Sequence, residues 1–97
     1  MPFVLEYIFT RPNKDVEFPL GGPQEESLQQ LREQYNISSE VFFSEDGLVR
    51  TLRHTALSAQ DYSDFYEKAQ PIWEKAKIIQ KCGDLNVDVS MSVVENT

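Results

Sequence analysis

Glu40-Val41-Phe42-Phe43-Ser44-Glu45-Asp46-Gly47-Leu48-Val49-Arg50-Thr51-Leu52-Arg53 reads as two short strands joined by a tight turn. Asp46-Gly47 accommodates the positive backbone angles of the favoured two-residue hairpin turn. That turn pairs Glu45 with Leu48, Phe43 with Arg50 and Val41 with Leu52 on one face. On the other face Ser44 meets Val49, Phe42 meets Thr51 and Glu40 meets Arg53. The opposite charges of the last pair favour this register over the shifted one that a three-residue turn would impose.

Helical patterns flank the hairpin on both sides. Before it, Leu28, Leu31 and Tyr35 recur at helical spacing over Gln24–Tyr35. Glu25 and Glu26 lie in the first turn, where the helix dipole favours negative charge, and Asn36 is a left-handed stop. After it, Ser58 to Lys81 carries a stripe of Tyr62, Phe65, Tyr66, Ala69, Ile72, Trp73, Ala76 and Ile79. Ser58 with Asp61 resembles a capping box. Pro71 cannot donate to the turn before it, so a kink or break is expected near Ala69-Gln70, with Gly83 as the cap.

Alternating runs close the pattern at both ends. In Phe3–Phe9, Phe3, Leu5, Tyr7 and Phe9 point one way and Val4, Glu6 and Ile8 the other. Apolar residues on both sides suit a central strand. In Leu85–Val93 the odd positions are apolar and the even ones polar, as on an edge strand with one wet face. Residues 11–23, with Pro12, Pro19, Gly21, Gly22 and Pro23, read as a long loop whose middle, Val16 and Phe18, tucks against the body. Residues 94–97 read as a short tail.

Strand, helix, strand, strand, helix, strand is the order of an α+β, ferredoxin-like βαββαβ two-layer sandwich. Its sheet is four-stranded and antiparallel, with both helices on one face. Right-handed crossovers put the first and third strands in the middle. The inner layer then holds Phe3, Leu5, Tyr7, Phe9, Val41, Phe43, Leu48, Leu52 and the odd apolar residues of the last strand. No helix covers the other face. There Val4, Ile8, Phe42 and Val49 sit among Glu6, Glu40, Thr51 and Arg53, an apolar cluster with a polar rim. Such a cluster marks a contact surface, and the simplest partner is a second copy across a twofold axis.

The element order, and the run Leu5-Glu6-Tyr7-Ile8-Phe9-Thr10-Arg11-Pro12-Asn13-Lys14, resemble the dimeric α/β-barrel group, with its first strand leading into a short basic turn. The resemblance implies two sheets packed face to face. It transfers no catalytic residue.

Composition narrows the function classes. The chain has 97 residues, 40% hydrophobic and 26% charged, enough for one domain with one modest core. A formal net charge of −7 argues against nucleic acid or an anionic membrane as partner and permits a basic protein. Cys82 is the only cysteine, so no intrachain disulfide forms. The first residues, Met1 to Glu6, lack the basic start and apolar run of a signal peptide, and no stretch is long enough to span a membrane. The expected location is cytoplasmic, or host cytoplasm for a viral protein.

Chemistry-bearing residues are sparse. His54 is the only histidine, so neither a metal site of ordinary composition nor any other cofactor site is expected. Its functional reading is a titrating group in a small pocket with Tyr62, Tyr66 and Trp73; its bland reading is a structural or solvated histidine at a strand end. Tyr62, Phe65, Tyr66 and Trp73 could also line a site for a flat aromatic ligand, although aromatics at helical spacing are more often core. Cys82 near a helix C-terminus is not a reactive thiolate. Gly21-Gly22-Pro23 lacks the lysine of a phosphate cradle, and Glu25 and Glu26 would repel the anion. Three readings follow. The first is a non-enzymatic interaction module, homodimeric through the open sheet face. The second is a small dimeric barrel-type enzyme or ligand-binding protein with a cavity under the sheet. The third is an acidic decoy for a nucleic-acid-binding protein, using Glu25, Glu26 and Glu33 on one helix and Asp61, Asp64 and Glu67 on the other.

Overall fold

A computed structural model describes residues 2–19 and 24–96. Four strands form one antiparallel sheet: β1 (Phe3–Thr10), β2 (Ser38–Phe43), β3 (Val49–Ala56) and β4 (Asp88–Asn96), in the order β2-β3-β1-β4. Three helices, α1 (Gln24–Gln34), α2 (Ala59–Ala76) and α3 (Ile78–Asp84), complete the chain. The first and third strands lie in the middle, as the right-handed crossovers require. The fold is α+β and ferredoxin-like.

The hairpin keeps the expected register, with Glu40 opposite Arg53, Phe42 opposite Thr51 and Phe43 opposite Arg50. The turn itself is different. Ser44 N–H donates to Val49 O, Gly47 N–H donates to Ser44 O, and Glu45 and Leu48 lie outside the ladder. Only Gly47 takes a positive φ, of 74°. The Asp46 carboxylate accepts from the Ser44 hydroxyl and the Leu48 N–H, which holds a longer turn in place of the two-residue one. Arg53 lies between two acidic cross-strand neighbours, and its guanidinium binds Glu6 on β1, at 2.8 Å, in place of Glu40 on β2.

Ser58 caps α2 by accepting from Asp61 N–H. The break expected at Pro71 is displaced. The helix runs on to Ala76 and ends at Lys77, whose φ is 56°. Pro71 and Glu67 are both exposed, so water can satisfy the carbonyl that proline leaves without a donor. Gly83 is not a cap but part of α3, and Asn86 takes the left-handed angle instead, at φ 57°. Asn36 does the same after α1, as expected. The last strand starts three residues later than its alternation suggests, and Val94 to Asn96 belong to it rather than to a tail. A register shift between Val4 and Leu5 lets β1 stay paired to its end, with Phe3 opposite Asn96.

One cluster of buried side chains joins Phe3, Leu5, Leu28, Ala56, Phe65 and Ala69 between the sheet and the α1–α2 pair. A second joins Phe9, Cys82 and Val87 beneath α3, with Val16 and Phe18 of the loop packed on it. Tyr7 touches both. Not every inner-layer residue is covered. Val41 and Phe43 on one edge strand are 43% and 61% exposed, and Met91 and Val93 on the other are 59% and 52% exposed. The helices leave these stretches of the two edge strands bare.

Candidate functional site

Alternation along β1 and β3 delivers the site to the helix-facing side. Tyr7 lies opposite Leu52, and Leu5 opposite His54. These positions share one side of the pleat. α2 contributes Tyr62, Tyr66 one turn later and Trp73 two turns beyond that. The left-handed residue Lys77 then ends α2, and α3 turns off toward β4, where Cys82 packs with Phe9 and Val87. Between α2, α3 and the sheet a cavity of about 400 Å³ remains. Tyr7, Phe9, Leu52 and Val89 line it from the sheet. Tyr66, Gln70, Trp73 and Glu74 line it from α2, and Lys77, Ile78, Ile79 and Gln80 from the junction with α3.

The structure brings Tyr66 and Trp73 to this cavity but sets His54 and Tyr62 behind its wall, in the core. His54 is 1% exposed and ringed by Tyr7, Tyr62 and Phe65, with ring centroids 5.6–5.9 Å away. Trp73 has both roles: it packs edge-on against Tyr7 and Phe65 and also lines the cavity.

His54 is linked to the cavity by hydrogen bonds. Its Nδ1 lies 3.2 Å from the Tyr62 hydroxyl, which lies 2.5 Å from the Tyr7 hydroxyl. Among the described residues, His54 Nε2 is buried without a partner. Burial, with a smaller push from the Arg32 charge, lowers the imidazole pKa to about 4. Burial likewise pushes Tyr7 up to about 12, against a partial offset from its Tyr62 hydrogen bond. Tyr62 is raised for the same first reason. All three groups are therefore neutral at pH 7. Burial also raises the Cys82 thiol. Among the described residues, no three histidines, cysteines or carboxylates gather as a metal-ligand group, and no helix is long and apolar enough to cross a membrane.

Tyr7 was legible only as an inner-layer residue, yet it is the link in this site. The available signal was a phenol in the middle of a central strand between Leu5 and Phe9: a buried hydroxyl needs a partner. Gln70, Glu74 and Lys77 gave none.

The open sheet face carries the other candidate residues. Glu6, Arg53 and Glu40 form one row across β1, β3 and β2; Ile8, Thr51 and Phe42 form the next, with Val49 beyond. The Arg53 guanidinium stacks 5.0 Å over the Phe42 ring. Val4 lies on this side too but is already buried. The acidic residues of the decoy reading are partly engaged: Glu25 is paired with Arg32 at 2.7 Å, and Asp61 and Asp64 accept from Ser58 and Gln60. Gly21-Gly22-Pro23 lies outside the described residues.

No protein-family model and no curated protein matches the chain. Among solved structures it is similar to Rv0793 from Mycobacterium tuberculosis, at 16% identity and a TM-score of 0.59, over 100% of this chain and 96% of that one. It is also similar to the de novo designed protein Foldit4, at 10% identity and a TM-score of 0.52, over the whole of both chains. At these identities the likeness is one of fold.

Proposed function

We propose that the protein binds a small, largely apolar molecule in the cavity between α2, α3 and the sheet. The cavity carries this reading. Its volume falls at the lower end of the range for small-molecule sites, and Tyr7, Tyr66, Trp73, Leu52 and Val89 give it the mix of apolar surface and few polar groups typical of them. Binding is favoured over acid–base catalysis because burial holds the pKa of His54 down at about 4 and pushes that of Tyr7 up to about 12, so neither exchanges a proton readily near pH 7. Trp73, the only tryptophan, is the reporter. Titration with indane, a bicyclic hydrocarbon, should shift its fluorescence saturably, and Val89→Phe, which narrows the cavity without adding a second tryptophan, should weaken the shift. A shift that is absent or does not saturate overturns the reading.

A second reading concerns assembly: two copies meet through the open sheet face. Ile8 and Phe42, flanking Thr51 in one row, support it as apolar residues on a face that no helix among the described residues covers, with Phe42 42% exposed. Light scattering at micromolar concentration should give twice the 11.2 kDa chain mass. Ile8→Lys should weaken the pair at least about tenfold, because the new charge is buried without a partner. A mass that stays at one chain on concentration sinks the dimer and leaves the cavity reading intact.

A further inference from the structure

We propose that the hydrogen-bond chain His54–Tyr62–Tyr7 runs in one direction, ending in a Tyr7 proton offered to the cavity, so that the bound molecule carries a carbonyl-type acceptor on an apolar body. This rests on the cavity being a ligand site. The direction follows from counting protons. Neutral imidazole holds one, on Nδ1 or on Nε2. The 3.2 Å from Nδ1 to the Tyr62 oxygen lies within the N–H···O range and is longer than hydroxyl donors usually make, which favours Nδ1 as the donor. Placing the proton on Nδ1 also leaves the buried, unpartnered Nε2 as a bare lone pair rather than a stranded N–H, the rarer of the two in folded proteins. The Tyr62 oxygen then accepts from His54, and its own proton has one partner left, the Tyr7 oxygen at 2.5 Å. Tyr7 has accepted, so its proton has no further partner among the described residues. Of the three groups only Tyr7 lines the cavity. A ligand without an acceptor there would strand a donor away from water.

Three bicyclic probes of similar size separate the outcomes: indane has no polar group, indole only a donor, and 1-indanone only an acceptor. By calorimetric titration 1-indanone should bind about tenfold more tightly than indole, and Tyr7→Phe should erase that preference while still binding indane. Equal or tighter indole binding overturns the proposal. Independently of any variant, ¹⁵N NMR of the wild-type protein at pH 7 reads the state of its only histidine. A protonated Nδ1 is expected; a protonated Nε2 reverses the chain and overturns the proposal. If none of the three probes binds, the ligand-binding reading falls and the ligand class with it, while the ring-nitrogen shifts still judge the direction of the chain.

Discussion

The helix-facing side of the sheet has a closed end and an open end, and the same aromatic stripe of α2 passes from one to the other. At the closed end Phe65 and Ala69 are fully buried between α1, α2 and the sheet. At the open end Tyr66 and Trp73 meet a cavity, and Met91, opposite Tyr7, stands exposed on β4. Residue type does not explain the contrast, since both ends are rich in large apolar side chains. Coverage does. Two helices packed on each other fill the space above one half of the sheet. On the other half a left-handed residue stops α2, and a seven-residue helix turns away over the strand edge. A close-packed interior on one side and a hollow on the other is what a two-layer domain shows when its second layer is narrower than its sheet.

The largest effect should come from cutting into the closed end. Phe65→Ala removes a fully buried ring in edge contact with His54 and Trp73. It should cost about 3–5 kcal/mol in urea unfolding. Tyr66→Ala, one residue away on the cavity side, should cost less than about 1.5 kcal/mol because its ring is 37% exposed. Equal costs would break the comparison, since they would mean that the cavity end is as tightly packed as the core.

A somewhat smaller effect should appear on acidification. His54 sits in the wall shared by the two ends, with its pKa lowered from 6.5 to about 4. Between those values the unfolded chain takes up a proton that the folded chain refuses. Stability from this group is therefore whole above pH 6.5 and declines as pH falls, with the full loss reached only below about 4. The gap is worth about 3 kcal/mol at most, at about 1.4 kcal/mol per pKa unit. Many carboxylates titrate near the lower limit, so the measurement is a difference: the melting temperature of wild type minus that of His54→Gln, followed from pH 7 to 4.5. The difference should shrink steadily. A constant difference would mean that the imidazole is open to water and that the closed end stops short of it.

Sequence reached the closed end better than the open one, for a physical reason. Strand order, hairpin register and the buried stripe follow from periodicity, which each segment carries locally. The burial of Phe3, Leu5 and Phe65 follows from the same pattern. The cavity depends on where α2 stops. That point is set by Lys77 adopting a left-handed angle, and a lysine carries no local signal for one; Pro71 and Gly83 carry the usual signals and mislead. His54, Tyr62, Tyr66 and Trp73 could be grouped from spacing. Which of them face the hollow could not, because that requires the helix end. Tyr7 was hidden for the opposite reason, since its place in an apolar strand reads as ordinary core.

The smallest effect tests the open end directly. Met91 lies on the helix-facing side of β4, opposite Tyr7, and its side chain is 59% exposed. By alternation alone it belongs to the core, where truncating it would cost about 2–5 kcal/mol. By exposure it has little apolar contact to lose. Met91→Thr keeps a residue suited to a strand and removes the long apolar side chain. The expected cost is below about 0.5 kcal/mol, as for surface changes remote from the core. The sharper reading comes from concentration. If the cost stays small in dilute protein but grows above about 1 kcal/mol as concentration rises, then a second chain covers this margin, and the open end is open only in the monomer. A small cost at every concentration places Met91 in water, with no second chain over this margin.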